Sequence, residues 1–188
     1  MKKCYISARR CAAAGVVYAS AMNLYVLRHG IAVEAGTPEY PQDSERPLVP
    51  KGRRQLRQIA GAMASMDLRF DRVLSSPFLR AIQTAEIIAE SLKLDERIRI
   101  SDELTPDGQP TVLIRQMNEL QPVPEDILLV GHQPNLSRLI GLLTAGNTEM
   151  VIDLKKGGLC KLEAESLRAG RCAMLAWLLT PRQMKWMA

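Results

Sequence analysis

A short apolar segment that ends in Arg28-His29-Gly30 is the feature that most constrains the fold of this chain of 188 residues. The run from Leu24 to Leu27 is brief and continuously hydrophobic, which is typical of a buried strand. Open α/β sheets bind ligands at the carboxyl ends of their strands, so this strand would bring a cation and an imidazole to such a position. Gly30 lets the backbone turn sharply or approach a ligand closely. Alone, the tripeptide would be an ordinary strand end, but other segments supply matching parts.

The second segment joins a predicted strand, Arg72 to Ser76, to a helix with Pro77 in its first turn, where the missing proline N–H is not needed. Arg80 falls in this first turn but off the apolar face of the helix. A cation is unfavourable at the positive end of a helix dipole. Arg80 therefore either binds an anion or is solvated. The apolar face follows helical spacing and comprises Ala81, Ile82, Ala85, Ile88, Ala89 and Leu92.

The third segment repeats this arrangement, because a buried strand near residues 126–130 runs into Gly131-His132 and a helix with Pro134 at its first position. His132 would thus lie between a strand end and a helix N-terminus, beside free backbone N–H groups. The chain has only two histidines, and both follow predicted buried strands. This coincidence favours catalysis over a core role for His29 and His132. The helical stripe after His132 consists of Leu136, Leu139, Ile140 and Leu143.

Together these residues resemble the histidine phosphatase (phosphoglycerate-mutase-like) superfamily, and within it most closely the SixA-type phosphohistidine phosphatases. Arg28-His29-Gly30 matches the superfamily signature, and Arg80 and His132 fall where its second arginine and second histidine fall. The resemblance runs from about position 23 to the C-terminus. It implies removal of phosphate from a phosphohistidine-bearing signalling or phosphotransfer protein. The narrower match rests on Arg46-Pro47-Leu48 with Lys51-Gly52, Ser76 to Ala81 with Gln83-Thr84, Glu103-Leu104-Thr105-Pro106, and Leu179-Thr180-Pro181.

The expected chemistry is phosphoryl transfer to His29, followed by hydrolysis of phospho-His29 by water. Neutral imidazole is a nucleophile, and its second ring nitrogen must donate to a fixed acceptor, for which a backbone carbonyl is expected. Arg28 and Arg80 carry planar guanidinium groups whose paired N–H donors match phosphate, and a protonated His132 would be a third donor group. Such groups stabilise the charge of a phosphoryl group in transfer. We therefore expect neither a metal nor a cofactor.

Substrate binding has four further candidates: Gly30, Arg46, Gln133 and Glu103. Arg46 lies in the polar loop 34–47, where it either contacts phosphate, as the resemblance suggests, or is a solvated charge near its neighbours Asp43 and Glu45. Glu103 is the best candidate for the general acid that phosphate esters need; the alternative is a local cap or ion pair. A phosphohistidine needs less help, because its protonated ring leaves as neutral imidazole. We therefore expect Glu103 to be dispensable.

The order of predicted elements argues for an α/β three-layer sandwich with a mostly parallel central sheet and helices on both faces. Toward the C-terminus, two strands near 158–163 and 173–179 share a short Gly-containing link, which predicts an antiparallel addition. Residues 23–188 would form one domain. The remaining predicted strands are near 23–28, 72–76, 97–100 and 126–130, and the predicted helices near 51–66, 78–92, 110–120 and 134–145.

Residues 1–22 need a separate account, because they carry four of the five net positive charges and no acid. The predicted domain is thus nearly neutral, and with aromatics at only 4% a nucleic-acid surface is not expected. The basic start and small apolar stretch fit a secretory signal or an extension before a start at Met22. We favour the extension, and hence a cytoplasmic location. No apolar run reaches membrane-spanning length.

Three functional classes are compatible with these residues. The favoured class is a phosphohistidine phosphatase acting on a partner protein. The second is a small-molecule phosphomonoester phosphatase that uses the same site, and the third is a phosphate-binding module without catalysis. The intact set of Arg28, His29, Arg80 and His132 argues against the third class. We expect a monomer, although exposed Met and Leu side chains could form a weak dimer.

Overall fold

The structure is a computed structural model that describes residues 22–94 and 98–188, so the predicted extension 1–22 lies outside the described residues except for Met22. The strands are β1 Met22–Arg28, β2 Arg72–Ser75, β3 Ile98–Ile100, β4 Asp126–Gly131, β5 Leu159–Ala164 and β6 Ala173–Leu179. The α-helices are α1 Pro50–Ser65, α2 Leu79–Leu92, α3 Pro110–Asn118, α4 Asn135–Ala145 and α5 Pro181–Lys185. Two 3-10 helices span Asp43–Glu45 and Asp102–Leu104.

Within the described residues the six strands form one mixed sheet in the order β3-β2-β4-β1-β5-β6. The first four strands in sequence are parallel, whereas β5 pairs antiparallel with both β1 and β6. The predicted antiparallel C-terminal addition is therefore confirmed. No helix in ranges 22–94 and 98–188 combines the length and apolarity needed to cross a membrane.

The central strand β1 shows why the molecule has three layers. Its side chains alternate between two cores: Leu24 and Val26 pack in one, and Tyr25 and Leu27 in the other. All four are buried, which explains why a strand covered on both faces reads as a continuous apolar run. The core with Tyr25 is completed by α1, α2 and α5, and the other core by α3 and α4. The predicted sandwich with helices on both faces is confirmed.

Two helix starts differ from the prediction. Phe78 is extended, at φ −65° and ψ 133°, so α2 begins at Leu79 and Pro77 lies outside it. Pro134 is the N-cap of α4 rather than its first residue. Placing these prolines in the first helical turn was therefore wrong; the residues between strand and helix instead form turns, one of which is held by a 3.3 Å hydrogen bond from Phe78 N–H to Ser76 Oγ.

Strand order decides where the chemistry gathers. Because β1 and β4 are neighbours and Arg28 pairs with Gly131, His29 and His132 follow adjacent strand ends at one edge of the sheet. The end of β2 lies next to β4 and leads into the turn before α2. Three separate segments of the chain therefore converge on one place.

Candidate active site

The two histidine rings lie close together at the carboxyl edge of the sheet, with centroids 4.8 Å apart and planes tilted by 45°. Both are buried, His29 being 6% and His132 1% exposed. Arg80 reaches the same place from the first turn of α2, and Arg28 precedes His29 on β1. The structure thus brings together the four residues predicted to be catalytic.

His29 is held by two groups of different character. Its Nδ1 lies 2.7 Å from the carbonyl oxygen of Gly30, and its Nε2 lies 3.3 Å from Nε of Arg80. A carbonyl can only accept and a guanidinium can only donate, so the proton sits on Nδ1 and the lone pair on Nε2. The expected backbone carbonyl is therefore that of Gly30, the next residue along the chain. This tautomer is the one a nucleophilic imidazole requires.

Gly30 is held in turn by the first turns of α2. Its N–H donates to Thr84 Oγ1 at 3.1 Å, and that hydroxyl donates to the Arg80 carbonyl at 2.6 Å. A Cβ at Gly30 would stand 2.7 Å from Leu56 Cδ1, so any other residue here would require the Leu56 side chain to shift. The structure thus links Gly30 to the orientation of His29.

Burial keeps His29 neutral. Loss of water is the main cause that lowers its pKa to about 3; the Gly30 hydrogen bond opposes this shift, and Arg80 and Arg28 reinforce it. At neutral pH Nε2 therefore carries no proton.

His132 has a different set of partners. Its Nε2 lies 3.0 Å from Ser76 Oγ, and the Phe78 ring packs against it with centroids 4.9 Å apart. Its Nδ1 is buried and finds no partner among the described residues. Burial first, and then His29 and Arg80, lower the pKa of His132 to about 2. His132 is therefore neutral in the free protein; its expected protonation concerns the complex with a phosphoryl group and stays a prediction.

Arg80 uses all three guanidinium nitrogens. Besides the Nε contact to His29, Nη2 lies 2.7 Å from the Asp43 carboxylate oxygen Oδ2 and Nη1 lies 2.5 Å from the Asp43 carbonyl. The side chain is only 4% exposed and packs over the Phe78 ring at 5.0 Å. Of the two sequence interpretations, solvation is wrong, since Arg80 is buried and bound to an anionic group.

Arg28 binds the segment that precedes β5. Its Nη1 donates to the Leu154 carbonyl at 2.9 Å, while its buried Nε has no partner in the described part of the chain. Gly157 N–H donates to the carbonyls of both Arg28 and His29 at 3.0 Å. The segment before β5 is thereby fixed against the catalytic strand end.

Arg46 is linked to His29 through Asp43 and Arg80. Its Nε donates to Asp43 Oδ1 at 2.8 Å, its Nη2 pairs with the same oxygen, and its Nη1 donates to the Val33 carbonyl. Arg46 is thus paired with the neighbouring Asp43 rather than solvated, and its contact with phosphate stays a prediction. Asp43 therefore joins Arg46 to Arg80.

Gln133 and Glu103 make structural contacts. The Gln133 amide donates to the Ile152 carbonyl at 2.9 Å and accepts from Ser137 N and Oγ, so it ties the start of α4 to the segment before β5. Glu103 Oε2 accepts the Gln109 N–H at 2.6 Å, just before α3. In the described ranges its carboxylate has no hydrogen bond to the four predicted catalytic residues. Local capping is thus the interpretation of Glu103 found here.

Two residues of the site, Ser76 and Asp43, are not among the predicted site residues. Ser76, the partner of His132, ends a predicted strand and begins a motif of the family resemblance, and a hydroxyl before a predicted helix start is a recurrent hydrogen-bonding position. Asp43 was considered only as a neighbour of Arg46, because nothing in the local pattern shows that its loop reaches α2. Its carboxylate contacts Arg80 directly and counteracts the lowering of the His132 pKa.

Comparison with known proteins gives consistent results. A sequence profile of the histidine phosphatase superfamily (branch 1) matches residues 24–105. An uncharacterised protein of Picosynechococcus sp. is 34% identical over 148 residues, 78% of this chain and 88% of the relative. Phosphohistidine phosphatase SixA of Escherichia coli is 32% identical over 129 residues, 68% of this chain and 77% of that protein. A solved structure of the protein histidine phosphatase SixA complexed with tungstate matches with TM-score 0.71 and 26% identity, over 86% of this chain and 98% of that one.

The fold, the paired histidines and these relatives place the chain in one class: it belongs to the histidine phosphatase superfamily. Within the superfamily it is of the SixA type, and it is a phosphatase, a hydrolase of phosphorylated substrates.

Proposed function

We propose that this protein is a metal-independent phosphohistidine phosphatase that acts on a phosphohistidine-bearing protein through a phospho-His29 intermediate. The observation that carries the proposal is the defined state of His29. Its Nδ1–H donates to the Gly30 carbonyl, and Arg80 donates to its Nε2 lone pair. A neutral, oriented imidazole beside buried guanidinium groups suits attack on phosphorus.

In the first step the Nε2 lone pair of His29 forms a bond to phosphorus while the P–N bond of the substrate breaks. A substrate ring that is already protonated leaves as neutral imidazole. His29 becomes a phosphoimidazolium whose Nδ1–H stays on the Gly30 carbonyl. Because one P–N bond replaces another, this step requires no external acid.

In the second step water attacks phosphorus, its oxygen forms the new P–O bond, and the P–Nε2 bond breaks. The products are neutral His29 and dihydrogen phosphate, which balances the charge of the intermediate. Arg28 and Arg80 stabilise the equatorial oxygens in both steps. A phosphoryl dianion raises the pKa of His132, so this side chain gains a proton only when substrate is bound.

The contacts of Glu103 support the proposed preference for phosphohistidine over phosphate esters. An ester leaves as an alkoxide and needs a general acid. The best candidate for that acid has its carboxylate on the Gln109 N–H instead. The 32% identity to phosphohistidine phosphatase SixA of Escherichia coli supports the same preference.

The experiment is release of inorganic phosphate from a histidine-phosphorylated transfer protein and from an alkyl phosphate ester, phosphoserine, with and without a chelator. We expect faster release from the phosphohistidine protein, no effect of the chelator, and retained turnover in Glu103→Gln. Glu119→Gln, at the C-cap of α3, is the matched control. Loss of phosphohistidine turnover in Glu103→Gln alone would contradict the proposal, as would a preference for the ester.

A further inference from the structure

The Asp43 carboxylate is bound to Arg80, the cation that a substrate phosphoryl group would be expected to bind. Arg80 donates from Nε to the His29 nucleophile and from Nη2 to Asp43 Oδ2, at 3.3 and 2.7 Å. These two nitrogens belong to the same guanidinium. A phosphoryl group under attack by His29 Nε2 needs hydrogen bonds from this guanidinium, and Asp43 already occupies Nη2.

A phosphate and this carboxylate are poor neighbours on one arginine, because adjacent anions repel each other inside a pocket of low dielectric. One of them must leave Nη2. We propose that Asp43 is an internal ligand of the phosphate pocket, which occupies Arg80 in the free enzyme, is displaced by the substrate phosphoryl group, and competes with inorganic phosphate for this arginine. The inference rests on the proposed function, since it takes Arg80 as the phosphate-binding cation.

The two partners differ in their freedom to move. The Arg80 side chain is 4% exposed, whereas that of Asp43 is 49% exposed. Asp43 can therefore turn toward water at small desolvation cost, while Arg80 cannot. The Asp43 carbonyl also accepts from Arg80 Nη1, so the arginine keeps a main-chain partner when the carboxylate leaves.

Arg46 provides a second cation for Asp43. It binds Oδ1 of the same carboxylate and is itself fixed to the Val33 carbonyl. A displaced Asp43 thus retains a cation at the rim of the pocket. Burial alone would raise the pKa of Asp43, but hydrogen bonds from Arg80 and Arg46 outweigh this and lower it. Asp43 is therefore an anion at neutral pH, able to compete with phosphate and unsuited to act as a general acid.

Asp43 consequently determines how strongly the site retains free phosphate. When hydrolysis is complete, the returning carboxylate takes Nη2 of Arg80 and favours release of the product. A phosphohistidine protein gains additional contacts outside the pocket, and these can offset the cost of displacing Asp43. Inorganic phosphate has no such contacts, so the resident anion discriminates against it.

The test is direct binding of inorganic phosphate, measured by titration calorimetry and as competitive inhibition of turnover. Asp43→Asn keeps the size of the side chain and removes its charge, and Asp43→Ser is a second variant in case the amide still binds Arg80. The matched control is Glu45→Gln, which removes one negative charge from the same 3-10 helix. We expect phosphate to bind about tenfold more tightly to the Asp43 variants, the size of one charge-assisted hydrogen bond. Glu45→Gln should stay within about twofold of the wild type.

Unchanged or weaker phosphate binding in both folded Asp43 variants would overturn the inference, because the carboxylate would then not compete. An equal gain in Glu45→Gln would overturn it too, since general charge would suffice. Arg80→Lys separates this failure from failure of the proposed function. If Arg80→Lys does not weaken phosphate binding, the assignment of the pocket itself is wrong. If it does weaken binding and the Asp43 variants change nothing, only the role of Asp43 is wrong.

Discussion

The carboxyl ends of β1 and β4 are neighbours, and each delivers one histidine, yet the two imidazoles are held in different ways. His29 donates to a carbonyl, which can only accept, so one tautomer is fixed. His132 faces the Ser76 hydroxyl, which can donate or accept by rotating. One strand end therefore fixes the tautomer of its imidazole, and the other leaves both tautomers open. The partner of each ring, rather than the strand end, thus distinguishes the two histidines and supports the different roles that we propose for them.

Replacement of His29 by alanine should have the largest effect on turnover. Without Nε2 no covalent intermediate can form, and removal of a catalytic nucleophile typically costs a factor of about 10⁴ or more in turnover. The measurement is release of phosphate from the phosphohistidine protein, together with trapping of an acid-labile phosphoenzyme. We expect neither product from His29→Ala. A phosphoenzyme still formed by this variant would assign the nucleophile to another residue.

His132→Gln should leave the intermediate intact and slow its formation and hydrolysis. The glutamine amide can still reach Ser76, but it cannot take up a proton when the phosphoryl dianion binds. Loss of such a group typically costs about 10²- to 10⁴-fold. Trapping during turnover should still give phosphorylated His29. If this variant gave no phosphoenzyme even at long times, the asymmetry between the two histidines would not hold.

Ser76 acts through His132 and should have a smaller effect. Loss of its hydroxyl in Ser76→Ala removes the acceptor that stabilises cationic His132, so turnover should fall about tenfold. The pKa of His132 in the substrate complex should fall as well, which moves the alkaline limb of the activity profile to lower pH. Ser76→Thr keeps the hydroxyl and should restore both properties. An equal loss at every pH would instead indicate a purely structural role, because Ser76 Oγ also accepts the Phe78 N–H.

The contrast between predicted and missed features follows from the range of the interactions. The β1 strand and the α1 and α4 faces depend on local periodicity, so Leu24 to Leu27 and the stripe from Leu136 to Leu143 were predictable. The α5 helix was missed, although Thr180 and Gln183 form a capping box that the sequence displays. Short helices offer little periodicity, and the capping pattern was the available signal.

The site residues divide in the same way, into those that a local pattern predicts and those that only the path of the chain brings in. Arg28, His29, Arg80 and His132 were identified because each stands beside a strand end or a helix start. The partners of Arg80 could not be identified in this way, since Asp43 and Arg80 are 37 positions apart and meet only through the path of the loop before α1. Glu103 was ambiguous for a related reason: whether a loop carboxylate serves catalysis or caps α3 depends on which N–H lies within its reach.

The two histidines should have the same effect on the stability of the protein in acid, although their effects on turnover differ. Both have pKa values lowered by burial, to about 3 for His29 and about 2 for His132, against the ordinary value of about 6.5 in an unfolded chain. Below about pH 6.5 the unfolded chain therefore binds more protons than the native protein, and the free energy of unfolding falls as the pH falls. Each histidine should remove up to about 2 kcal/mol between about pH 7 and pH 5.

Urea unfolding at several pH values tests this expectation through the slope of stability against pH, which does not depend on the absolute stability of a variant. His29→Gln and His132→Gln should each make the slope shallower by the same amount, and Glu45→Gln should leave it nearly unchanged. The two histidine variants would thus match in acid stability and differ by orders of magnitude in turnover. A slope that changes for only one of them would mean that the other imidazole is already charged in the native protein, and its proposed catalytic role would have to be reassigned.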